Sequence, residues 1–61
     1  MTNNTEFATK LIVNKMVSML RKGFTRNDCK KALEVAEYNI YTIFWLMDLV
    51  DAEMKSQGEA K

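Results

Sequence analysis

The chain has 61 residues, 48% of them apolar and 28% charged, with a formal net charge of +1, no proline, no histidine and one cysteine. A domain of this size buries only about 60% of the surface its unfolded chain exposes, which leaves room for one small core and none for a deep catalytic cleft. With no histidine and Cys29 alone, a metal site or a nucleophile–base pair has almost nothing to draw on; the reading is a non-enzymatic protein of the cell interior, cytoplasmic or nuclear, without cofactor or metal.

At about 100° per residue the apolar pattern predicts three helices, about 5–21, 26–37 and 40–55, in a single all-α domain over 1–61 with polar, flexible ends. In the first, Asn4 or Thr5 is the expected cap, and Ile12, Met16, Met19 and Leu20 form the expected core stripe. Phe7 and Leu11 point to a different face. Lys22-Gly23-Phe24-Thr25 then ends one helix and starts the next. Glycine enters the left-handed region without a Cβ penalty, and the apolar residue after it folds back on the last turn, here Phe24 toward Met19. Thr25 caps the second helix, with Asp28 three positions on to reach back.

The second helix carries Cys29, Ala32, Leu33 and Ala36 on one expected buried side, with Lys30 and Glu34 as an i, i+4 pair outside. Cys29 on that stripe reads as core rather than as a reactive thiol. Asn39 caps the third helix, and Tyr38 and Ile43 are placed to staple its start. Ile40, Ile43, Met47, Val50 and Met54 form its core arc, with Phe44 and Leu46 at the edges. Roughly 140° away, Tyr41, Trp45 and Leu49 form a second ridge at i, i+4, i+8, where a monomeric domain ordinarily carries charge, and Asp48 lies beside it. Aromatics so placed either mark a protein-docking face or pack on the extended first helix.

Charge is uneven along the chain. Residues 10–31 hold seven basic side chains and one acidic, whereas 32–61 hold six acidic and two basic. Arg21, Lys22, Arg26, Lys30 and Lys31 lack interleaved aromatics on their face, so they read as a solvated surface and not as a nucleic-acid site. No apolar run reaches the ~18 residues of a membrane span, so no membrane partner is expected.

The order helix, Gly-Phe loop, helix with Lys31-Ala32-Leu33-Glu34-Val35-Ala36, then Tyr38-Asn39-Ile40 opening a third helix, resembles a ubiquitin-associated (UBA) domain, and most closely those of Cbl-type ubiquitin ligases. The resemblance covers about 16–50. It implies a compact three-helix bundle of the UBA type, here with an extended first helix, that docks the hydrophobic patch of ubiquitin or polyubiquitin through its first loop and the later part of its third helix. Carried over by position, the implied contact residues are Lys22, Gly23 and Phe24 in the loop and Trp45, Asp48 and Leu49 in the helix, with Asp48 and Asp51 supplying negative charge to steer a basic surround. Lys22 stands where many ubiquitin-binding members have methionine, and Ile43 where the family usually has alanine. The alternative is a UBA-like dimerisation or scaffold module that binds itself or another helical domain, with Phe7, Leu11 and Tyr41 as a further contact face.

Overall fold

Two short junctions divide the chain into three helices, α1 (Asn3–Arg21), α2 (Arg26–Val35) and α3 (Ile40–Glu59), in a computed structural model that describes residues 3–59. Side chains are described for residues 5–58. The architecture is an all-α three-helix bundle in which α3 packs most extensively on α1 and also against α2. At 19 and 20 residues, α1 and α3 are each about twice the length of α2 (10 residues), and the Cα radius of gyration of 11.7 Å exceeds the ~10.5 Å expected for a compact chain of this length. The long helices carry surface past the core.

The first junction is closed by backbone geometry. Gly23 takes φ +104°; its N–H donates to the Leu20 carbonyl and the N–H of Phe24 to that of Met19, both at 3.1 Å. These bonds use carbonyls that the end of α1 leaves without helical partners. Thr25 then caps α2: its hydroxyl accepts from the Asp28 N–H at 3.1 Å, and the Asp28 carboxylate accepts from the Thr25 N–H at 3.0 Å. The expected reciprocal cap is present.

The second junction repeats the device without a glycine. Glu37 sits at φ +71°, its N–H donating to the Glu34 carbonyl at 2.9 Å, and the Tyr38 N–H reaches the Leu33 carbonyl at 3.2 Å. This left-handed turn ends α2 at Val35, two residues before the expected limit. Asn39 caps α3 as expected, its side-chain oxygen accepting from the Thr42 N–H at 2.8 Å.

The core is Val13, Met16 and Val17 from α1, Cys29 and Leu33 from α2, and Ile43, Leu46, Met47 and Val50 from α3. Three expectations are corrected. The α1 stripe turns by roughly 60° from the predicted one, so that Val13 and Val17 are buried while Ile12, Met19 and Leu20 pack only partly against the core. In α2, Ala32 and Ala36 are exposed and line a cleft with α1. In α3, Ile40 is half exposed, Leu46 is fully buried rather than an edge residue, and the helix runs on to Glu59 through the predicted polar end.

The expected caps of α1 shift too, because the helix already begins at Asn3 and so includes Asn4 and Thr5; the Asn4 side chain lies outside the described residues. Lys30 does not pair with Glu34. Its ammonium stands 5.8 Å from the centroid of the Phe44 ring, a cation–π contact between α2 and α3. Among the described residues the ion pair is Arg26–Asp51, at 3.0 Å between half-exposed side chains and worth about 0–1 kcal/mol. No described helix is long and apolar enough to cross a membrane.

Candidate partner-binding site

The outer surface of α3 has two flanks, fixed by what each touches. Toward α2 lie Phe44, under the Lys30 ammonium, and Asp51, bonded to the Arg26 guanidinium. Toward α1 lie Trp45 and Leu49, which with Val13, Ala52 and polar residues of both helices line an open groove of about 630 Å³. Asp48 is exposed between them, one turn from Phe44, Trp45 and Asp51 alike. The predicted helix residues thus share a neighbourhood, with Asp48 at its centre.

The loop residues lie between the end of α1 and the start of α2. Arg26 is two positions beyond Phe24, and its bond to Asp51 ties the start of α2 to the middle of α3. Lys22, Gly23 and Phe24 are all exposed, and Phe24 keeps 51% of its surface in solvent although its backbone is fixed by the turn. None of the three lines the groove beside α1. Of the six predicted residues, Trp45 and Leu49 line that groove, Asp48 is exposed beside them, and Lys22, Gly23 and Phe24 stand in the exposed loop before α2.

The residues expected to form a further face are also separated. Phe7 and Leu11 are exposed on α1, outside the residues that line the groove, whereas Tyr41 is 81% exposed on α3, one turn before Trp45. Of the two readings of the ridge, packing on the extended first helix holds in part, because the first half of α1 lies beside Trp45 and Leu49 and forms the groove with them. Thr5, Glu6, Thr9 and Lys10 form its wall there.

Electrostatics add little chemistry. The Asp28 carboxyl lies below its ordinary value because the Thr25 N–H and then the Thr25 hydroxyl bond to it, with Lys31 adding a smaller attraction. This is a cap and not a catalytic acid. Cys29 is fully buried, donates weakly to the Met16 carbonyl at 3.8 Å, and has its thiol pushed up by burial, which keeps it protonated and unreactive. Among the described residues no three His, Cys, Asp or Glu side chains gather as a metal site. What the surface offers is apolar contact area with one central carboxylate. Comparison of the chain with protein-family models, curated proteins and solved structures gives no match.

Proposed function

We propose that this domain is a non-catalytic ubiquitin-binding module of the UBA type, which lays Phe24 and the Asp48 surface of α3 against the hydrophobic patch of ubiquitin. The observation that carries the reading is Phe24: a phenyl ring with half its surface exposed, on a backbone turn closed by hydrogen bonds, two positions before the Arg26 that bonds Asp51 of α3. A rigid aromatic presented in this way gains contact area at small entropic cost. Trp45 and Leu49 form the far edge of the contact, reached by a partner that spans α3. Asp51 is engaged by Arg26, so Asp48 is the carboxylate left free to meet a basic surround.

Few side chains take part, so affinity in the order of −4 to −7 kcal/mol is expected, which a longer chain multiplies by linkage. Lys22 in the place of an apolar contact moves the expectation toward the weak end of that range. Titration of isotope-labelled domain with ubiquitin, followed by amide chemical shifts, tests the proposal. Shifts concentrated at Gly23, Phe24, Asp48 and Leu49 support it; shifts confined to the basic residues of α1 and α2, or none at millimolar ubiquitin, reject it.

A further inference from the structure

A second cleft, of about 300 Å³, lies between α1 and α2, and no described residue of α3 lines it. Its walls are apolar: Met16 and Met19 from α1, Ala32, Leu33 and Ala36 from α2 and its end, and Tyr38 from the turn that follows. Ala32 and Ala36 are exposed and one turn apart, and their small side chains leave open the space that larger residues would fill. The volume stands at the small end for ligand pockets, the scale of a single inserted side chain.

Charge at this cleft is one-sided. Lys15 is the one ionised side chain among the described residues that line it, whereas the groove beside Trp45 has Glu6, Lys10 and Glu53. Lys15 is exposed and takes part in no ion pair among the described residues. Its neighbours one turn away on α1, Leu11, Ile12, Ser18 and Met19, include no acid, so its own helix offers it no partner. Glu34 and Glu37 do not line the cleft, and Asp28 is engaged in the α2 cap. We infer that this cleft docks an acidic linear segment of a partner protein, which inserts one aromatic side chain between α1 and α2 and sets an adjacent carboxylate against Lys15.

Each part of that occupant answers a feature of the site. Thioethers adapt their shape and make favourable contacts with aromatic rings, so walls holding Met16 and Met19 suit an aromatic guest over an aliphatic one. Tyr38, 37% exposed, offers that guest a second ring to meet. A carboxylate beside the inserted ring pairs with an ammonium for which nothing in the chain competes. Further acids along the segment are drawn by the half of the chain that builds most of the cleft, where residues 10–31 hold seven basic side chains and one acidic. The lining shares no residue with the surface assigned to ubiquitin, so the two partners do not contend for one site.

Amide-shift titration of the labelled domain with three synthetic peptides tests the inference: one phenylalanine among aspartates, the same with lysines for the aspartates, and the first with alanine for its phenylalanine. The first should saturate with a Kd of roughly 0.1–1 mM, as one anchor and a few charges allow, with shifts gathered at Lys15, Met19, Ala32 and Ala36. The other two should bind at least about tenfold more weakly. Lys15→Glu should lose the aspartate peptide and gain the lysine peptide, while Ala32→Phe, which fills the cleft from an exposed position, should bind neither, both with unchanged helicity. Absence of a saturable shift with the aspartate peptide at millimolar concentration overturns the inference. So does equal binding of the lysine or alanine peptide, a shift map centred on Phe24 or Trp45, or unchanged binding by folded Lys15→Glu. Shifts at the cleft that grow with the concentration of the domain alone make a second copy its occupant and also overturn it. Failure here leaves the ubiquitin titration unaffected, since none of the cleft residues is assigned to ubiquitin.

Discussion

The two interhelical junctions use the same backbone device for different ends. Each closes a helix with a left-handed residue and two hydrogen bonds back to the last turn, and each hands over to a side-chain cap. At the first junction the left-handed residue is Gly23 at φ +104°, outside the small left-handed basin open to L-residues; at the second it is Glu37 at φ +71°, at the edge of that basin. That difference explains why one position needs glycine and the other tolerates a side chain. The aromatic that follows also differs. Tyr38, 37% exposed, borders the cleft between α1 and α2 with Ile12, Met16 and Leu33, whereas Phe24 is 51% exposed. The second turn lays its aromatic along a cleft, and the first leaves its aromatic more open to solvent.

The largest effect should come from the residue that only glycine can satisfy. A Cβ at Gly23 meets no atom within 4 Å, so Gly23→Val tests backbone strain without a steric clash. It should cost about 2 kcal/mol, or roughly 10 °C in the thermal midpoint of a domain this small. An unchanged midpoint would remove the distinction between the turns. Next come the caps: Thr25→Ala and Asn39→Ala should each lower stability by about 1 kcal/mol in chemical denaturation, and only the first should be coupled to Asp28 in a double-mutant cycle.

Much of this design is legible from residue type. Gly23, Thr25 with Asp28, and Asn39 declare their roles because few other residues perform them. Glu37 does not, because glutamate is an ordinary helix former and nothing in its type signals a left-handed turn. The α1 stripe was misplaced for a related reason. With Leu11, Ile12, Val13, Met16, Val17, Met19 and Leu20 all apolar, the arc is too wide for periodicity to fix its centre, and contact with α3 decides for Val13 and Val17. The candidate surface is legible only in part: spacing shows that Tyr41, Trp45 and Leu49 share a ridge, but not which residues of α1 stand beside it.

Smaller effects sharpen the comparison further. Glu37→Gly should relieve the remaining strain and raise stability by about 0.5 kcal/mol, a gain with no counterpart at the first junction. The first junction should also respond to acid. Because the folded Asp28 carboxyl is held below its ordinary value of 3.8, its stabilisation is present above that value and is lost as pH falls through the folded value. Stability measured from pH 6 down to pH 2 should therefore fall less steeply in Asp28→Asn than in the wild type, and parallel curves would show that the carboxylate contributes nothing beyond its amide replacement.

The claim that Phe24 is a presented contact and not a half-formed core residue is tested most directly by the ubiquitin affinity of Phe24→Ala, measured by amide shift titration on protein shown to be folded. At 51% exposure the substitution should leave thermal stability within about 1 kcal/mol of the wild type. Affinity for ubiquitin should fall at least about tenfold, the loss of one interface anchor. A folded Phe24→Ala variant that binds ubiquitin as tightly as the wild type would contradict the account.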